Sequence, residues 1–226
     1  MTLGVGTGFT VQQGGQTFLI TNWHAVTGRH ASTAQPLSSS GVADPDRLMI
    51  WHHVAGVLGA WKVRDESLFE AGTGRPRWRE HPRGREVDVV ALPLVSLAAD
   101  THFYPIDLAL AKEDVLVAPG EPVSIIGFPF GMSSGGKFPI WKTGHVASDL
   151  DLDYDGKPVF LVDATAKPGM SGSPVVARRV GQIRRSRGVD LGGDASRFLG
   201  VYSGRIHDLA DVGMVWKPSV LGDILP

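Results

Sequence analysis

The stretch Lys167-Pro168-Gly169-Met170-Ser171-Gly172-Ser173-Pro174-Val175-Val176-Ala177 decides how this chain is read. Glycines bracket Met170-Ser171, and an apolar β-branched run follows, so the pattern predicts a tight turn that presents a serine hydroxyl and then enters a strand. Alone, a serine in a glycine-rich turn is only a turn residue. A hydroxyl becomes a useful nucleophile when a base sits beside it and a third group orients that base. Two upstream segments supply such groups. His24 closes the run Phe18-Leu19-Ile20-Thr21-Asn22-Trp23, where an apolar strand enters a short turn, and Asp88 opens Asp88-Val89-Val90-Ala91-Leu92. An acid at the head of a buried strand needs a partner.

Competitors for these roles fit less well. His52 and His53 form a bare pair in a strand-like run, where alternation turns one inward and one outward; both read as structural. Asp65 sits among Arg64, Glu66 and Ser67, and Asp107 follows Pro105-Ile106, so both read as solvated.

Short apolar or β-branched runs recur along the chain: residues 8–11, 16–21, 48–52, 59–63, 87–94, 122–127, 140–148, 158–163, 173–177 and 198–201. Glycine, proline and Asp-Gly breaks separate them, the signature of an all-β sandwich or barrel. The polar link Lys112-Glu113-Asp114 and Pro119-Gly120-Glu121-Pro122 marks a boundary between an N-terminal unit, residues 1–112, and a second unit, residues 113–216. Residues 217–226 have a proline near a helix start and apolar residues at helical spacing.

The order His24, Asp88, Ser171 is one of the known orders of a nucleophile triad. With the motifs around them, the sequence resembles the chymotrypsin-like serine proteases, and within them the bacterial trypsin-like branch that includes the HtrA (Deg) protease domains. The nucleophile motif Asn-Pro-Gly-Asn-Ser-Gly-Gly-Pro is matched by Lys167-Pro168-Gly169-Met170-Ser171-Gly172-Ser173-Pro174. Thr21-Asn22-Trp23-His24-Ala25-Val26 matches Thr-Ala-x-His-Val, Asp88-Val89-Val90-Ala91-Leu92 matches Asp-Leu-Ala-Leu, and Ile126-Gly127-Phe128-Pro129-Phe130-Gly131 matches Gly-Asn-Pro-Phe-Gly. The four matches run in order over roughly residues 4 to 216.

The resemblance implies two packed six-stranded antiparallel β-barrels with a short C-terminal helix, and a cleft between barrels carrying His24 and Asp88 on one side and Ser171 on the other. It implies a serine endopeptidase working through an acyl-enzyme, with Gly169, Met170 and Ser171 forming the oxyanion hole. Thr165 would lie near the floor of the primary pocket, and Val201, Tyr202, Ser203 and Gly204 would wall it. Because no acid stands at Thr165, uncharged residues are expected before the scissile bond. The alternatives are a latent peptide-binding or scaffold module of the same fold, and an esterase. Two departures stand out. Met170 occupies the place where enzymes matured by cleavage carry an Asp that pairs with a new N-terminus, so that switch is expected to be absent. Ser173 replaces the usual second glycine.

Composition bounds the remaining classes. The chain has 226 residues and a formal net charge of −1, so no global field draws it to nucleic acid or an anionic membrane. There is no cysteine, which excludes disulfides, thiol catalysis and cysteine metal sites. No basic and apolar leader is visible, so a cytoplasmic protein is expected. No window approaches eighteen uninterrupted apolar residues; the best, residues 87–99, is broken by Asp88, Pro93 and Ser96. Asp151-Leu152-Asp153-Tyr154-Asp155-Gly156 resembles half a calcium loop but lacks the closing Glu, and an Asp-Gly hairpin turn is the better reading. The arginine-rich segments 74–85 and 178–197 read as flexible solvated loops rather than nucleic-acid sites. The expected partners are polypeptide substrate and a regulatory protein or further domain, with no cofactor and no metal.

Overall fold

The computed structural model describes residues 2–37, 44–95, 97–165, 167–207 and 210–226; Ser96, which breaks the apolar run 87–99, lies outside them. The chain is all-β with two short helices. In the first half, β1 (Phe9–Gln13) and β2 (Gln16–Thr21) form a hairpin. Gly14 and Gly15 both take positive φ (57° and 76°) at its turn, the geometry that matches strand twist. β2 is buried on both faces: Phe18 and Ile20 enter one core and Leu19 another, which explains its unbroken apolar run. Helix α1 (Trp23–Thr27) follows at once and stops at Gly28, whose left-handed backbone (φ 67°) closes the turn on His24 O.

β3 (Arg47–Val54) pairs along its length with β4 (Trp61–Ser67), and β5 (Arg79–Glu80), β6 (Val90–Pro93) and β7 (Thr101–His102) complete this half. These strands form two sheets, β1-β2-β6-β5 and β4-β3-β7, compatible with the expected barrel but with no strand ladder joining the sheets among the described residues. β5 and β7 are two residues each, too short to carry a ladder around a barrel. Side chains close the gap instead: Leu48, Ile50, Phe69 and Phe103 pack against Leu19, Trp78 and Leu92. Arg77, in a segment that sequence reading treats as a solvated loop, pairs with buried Glu66 at 2.8 Å and donates to the carbonyls of Ser67 and Pro93.

The second half contains β8 (Pro122–Gly127), β9 (Ile140–Val146), β10 (Val159–Asp163), β11 (Pro174–Arg185), β12 (Gly188–Arg205) and β13 (Val212–Trp216). They close a six-stranded barrel in the order β10-β13-β12-β11-β8-β9. The segment 178–197 is not a flexible loop: β11 and β12 continue as a paired ribbon from Arg178↔Ser196 to Arg185↔Gly188, with a bulge between Val180 and Gln182. The ribbon lies on the connection between the halves. Leu116 N donates to Arg184 O at 2.9 Å, Ser186 Oγ to Asp114 at 2.8 Å, and Arg179 and Arg184 both reach Glu121. Arginine and glycine hide this ribbon in the sequence because neither is a strong strand former; main-chain pairing decides it.

The Asp155-Gly156 turn takes the expected hairpin form, with positive φ at both residues (52° and 65°) between Tyr154 and Lys157. Helix α2 (Ser219–Ile224) buries Val220, Leu221 and Ile224 in a core shared with Phe9, Ile20 and Val87 of the first half and Phe198, Val201 and Trp216 of the second. One apolar core therefore joins the halves. Among the described residues, no helix is long and apolar enough to cross a membrane.

Candidate active site

His24 sits in α1, one residue after buried Trp23, whose indole nitrogen donates to Glu80 at 2.9 Å. Trp78 donates to the same carboxylate oxygen at 2.8 Å, so Glu80 pins the helix that carries the imidazole. Asp88 lies just ahead of β6, and its carboxylate is nearly closed off from solvent (side chain 7% exposed). It is fully engaged: Oδ2 meets His24 Nδ1 at 2.6 Å, Oδ1 accepts the His24 main-chain N–H at 2.9 Å, and Ser203 Oγ donates to Oδ2 at 2.5 Å. Asn22, fully buried, donates to the Asp88 carbonyl. Charge-assisted bonds of this kind are the strong ones, and they offset the cost of burying the carboxylate. With Nδ1 facing Asp88 and donating its proton, Nε2 of a neutral His24 is an acceptor.

The structure thus brings His24 and Asp88 together and adds Ser203, for which the sequence implies only a place in a pocket wall. β12 and β13 slip register between Tyr202 and Gly204, and the extra residue in that irregularity is Ser203. A bulge of this kind re-aims a side chain, here onto the Asp88 carboxylate.

Ser171 lies at the end of the turn before β11, half-buried, and among the described residues its hydroxyl has no hydrogen-bond partner. The turn is tied to the same strand that carries Ser203. Gly172 N donates to Tyr202 O, and Tyr202 N donates to Ser173 O, both at 2.8 Å. Gly169 takes φ 91°, and a Cβ there would collide with the Phe128 carbonyl, so glycine is required on two counts. Met170 is fully buried in the second-barrel core and its N–H is spent on Lys167 O at 3.2 Å. The N–H groups of Gly169 and Ser171 have no acceptor among the described residues, whereas that of Met170 does. Two amide donors left open among the described residues beside a serine hydroxyl suit a developing oxyanion.

The other pocket residues divide. Thr165 is exposed beyond β10. Val201 and Tyr202 turn their side chains into the two cores (0% and 1% exposed), so they offer a ligand no side-chain surface. Burial pushes the Tyr202 phenol well above its ordinary value. Ser203 and Gly204 remain half-exposed. His52 is buried and His53 partly so, on β3, with Asp65 and Asp107 at the surface.

The model of the trypsin-like peptidase domain matches residues 6–183. The chain belongs to that family. No curated protein sequence matches it. Among solved structures, the chain is similar to the active form of the Rv3671c protease from M. tuberculosis, at 19% identity over 96% of this chain and 71% of that one, with a TM-score of 0.46. It is similar to the serine endoprotease from Yersinia pestis, at 12% identity over 98% of this chain and 57% of that one (TM-score 0.49). It is also similar to the thermostable serine protease AL20 from an extremophilic microorganism, at 14% identity over 97% and 87% of the two chains (TM-score 0.49).

Within this trypsin-like peptidase domain, the residue that sequence reading missed altogether is Thr7. It is 4% exposed and bonded to the turn that carries Ser171. The signal was faint: a threonine between two glycines, Gly6 and Gly8, just ahead of β1.

Proposed function

We propose that the protein is a serine endopeptidase in which Ser171 Oγ is the nucleophile, His24 the general base and acid, and Asp88 the group that fixes the His24 tautomer. The observation that carries this reading is the 2.6 Å contact between His24 Nδ1 and Asp88, beside a turn whose Gly169 and Ser171 amides meet no acceptor among the described residues. Ser171 Oγ adds to the scissile carbonyl while its proton passes to His24 Nε2. The new oxyanion takes hydrogen bonds from Gly169 N and Ser171 N, each donor worth about 3 kcal/mol of barrier. His24 then gives the proton to the departing amine, leaving an acyl group on Ser171; water activated by His24 releases it. The imidazolium that forms twice along the way is balanced by Asp88, which Ser203 and the His24 amide hold in place.

Substrate would be polypeptide, laid extended beside Ser203-Gly204. With an uncharged threonine at position 165, residues without charge are favoured before the cut. No cofactor or metal enters these steps. The test is hydrolysis of a peptide library by the wild type, Ser171→Ala and His24→Ala, with products identified by mass. Cleavage by the wild type alone, after uncharged residues, supports the reading. Peptides bound by all three proteins and cut by none would make it a binding module, and ester turnover without peptide turnover an esterase.

A further inference from the structure

Every hydrogen-bonding group of Thr7 is in use. Its N–H donates to Ser171 O at 3.0 Å, its hydroxyl donates to Gly169 O at 2.7 Å and accepts from Phe128 N at 3.0 Å, and its carbonyl accepts from Thr21 Oγ1 at 2.8 Å. Three of these four bonds end on the nucleophile turn or on the segment that braces it. The hydroxyl is donor and acceptor at once, which among aliphatic side chains only serine and threonine can manage. Two glycines make room for the residue. A Cβ on Gly172 would strike the Thr7 carbonyl, and one on Gly127 would come within 2.7 Å of the Thr7 hydroxyl.

The brace continues through Phe128. Phe130 N donates to Pro168 O at 2.6 Å, with Phe130 itself in the left-handed region at φ 54°. A trans peptide points its carbonyl and its following N–H in opposite directions. Holding the Pro168 carbonyl therefore fixes the Gly169 N–H; holding the Gly169 and Ser171 carbonyls fixes the Gly169–Met170 and Ser171–Gly172 peptides, which flank the Met170–Ser171 peptide whose carbonyl Ser173 N holds at 3.0 Å. The Pro168, Gly169 and Ser171 carbonyls trace back to Thr7, directly or through Phe128. Met170, buried and apolar, adds packing but no charge that could orient the turn.

We propose that Thr7 is the positioning residue that sets the oxyanion-forming turn, locking Gly169 and Ser171 in reactive geometry from the first half of the molecule by neutral hydrogen bonds. This inference rests on the peptidase reading for its effect on rate, but not for its effect on the order of the turn. It makes the turn competent without cleavage of the chain.

Two readouts separate the inference from that reading: steady-state kinetics on a cleaved peptide, and amide hydrogen exchange across residues 167–173. Thr7→Val keeps the shape and removes the hydroxyl. It is expected to lower kcat by about a hundredfold, the scale of losing one preorganised donor, with KM within about twofold. Thr7→Ser, which restores the hydroxyl, is expected to return kcat to within about threefold of wild type. In Thr7→Val the bonded amides of the turn, Met170, Gly172 and Ser173, should exchange at least about tenfold faster while those of β1 and β2 stay unchanged. Wild-type kcat in Thr7→Val, equal losses in the valine and serine variants, or exchange raised evenly over the whole chain would overturn the proposal. If the wild type cuts no peptide, the peptidase reading falls and the exchange pattern alone decides for or against Thr7. Should Thr7→Val fail to fold, Thr21→Val frees only the Thr7 carbonyl. A drop in kcat of about fivefold is then expected, and no drop contradicts the proposal.

Discussion

The two halves of the molecule close themselves by different means. The second half closes by backbone: six strands complete a ladder around an apolar core of Val123, Ile125, Phe160, Val162 and Val175. The first half closes by side chains, with two sheets pressed together over Leu19, Leu68 and Leu92 and a Glu66–Arg77 pair buried at their seam. The Ser171 turn belongs to the rigid ladder, and His24 and Asp88, the proposed base and its orienting acid, to the polar assembly. Precision on the first side therefore comes from hydrogen bonds: Glu80 on Trp23, Ser203 on Asp88, Asn22 on the Asp88 carbonyl. A core of neutral packing tolerates a lost methyl group, but a network of buried charges does not tolerate a lost partner.

The sharpest break in this comparison removes the chemistry from one half at a time. Ser171→Ala and His24→Ala should each lower kcat/KM by at least about 10⁴-fold; the melting temperature should stay close to wild type in Ser171→Ala, whose side chain is partly exposed, and fall in His24→Ala, which leaves the buried Asp88 carboxylate without its imidazole. Next in size is Arg77→Met, which leaves Glu66 buried without its cation. Urea unfolding should show a loss of about 3–5 kcal/mol, while the double variant Glu66→Leu with Arg77→Met should recover most of it. A single-variant cost below about 1 kcal/mol would mean that the seam does not hold the first half together. Ser203→Ala tests the bond that crosses between halves; a fall of about tenfold in kcat/KM is expected, near the 1.4 kcal/mol that a charge-assisted hydrogen bond supplies.

The smallest effect is a pH slope. Burial lowers the His52 pKa below its ordinary value, Glu66 pulls it upward, and Arg64 and His53 push it down. The unfolded chain therefore takes up this proton first. The stability it contributes is present above about pH 6.5, the ordinary histidine value, and is lost as pH falls below it toward the folded pKa. The urea midpoint should drop between pH 7 and 5.5, and His52→Gln should flatten that drop. An identical slope in the variant would show that His52 binds its proton equally in the folded and unfolded states.

How far the sequence reveals this molecule follows from the range of each interaction. The nucleophile turn is legible because Gly169, Ser171 and Gly172 act within four residues, and His24 and Asp88 because each ends or opens an apolar run. Asp155-Gly156 is legible for the same reason. Thr7 is not, since its partners stand up to 164 residues away at Ser171, and neither is the bond from Ser203 to Asp88, 115 residues apart. A bulge that turns Ser203 onto an acid leaves no trace in local pattern. The 178–197 ribbon and β13 are hidden by composition, because arginine, glycine and methionine dilute the β-branched signal that the backbone pairing then overrides. The closure of the first half is hidden as well: Arg77 looks like one of several loop arginines until Glu66 is seen beneath it.

The most direct test of the central claim, one working site assembled from both halves, is labelling by a fluorophosphonate with the modified residue located by tandem mass spectrometry. Wild type should take up a single label on Ser171, with none in Ser171→Ala and labelling at least about a hundredfold slower in His24→Ala, because phosphonylation needs the nucleophile, base and oxyanion donors together. Label on another residue, or equal labelling rates in wild type and His24→Ala, would contradict it.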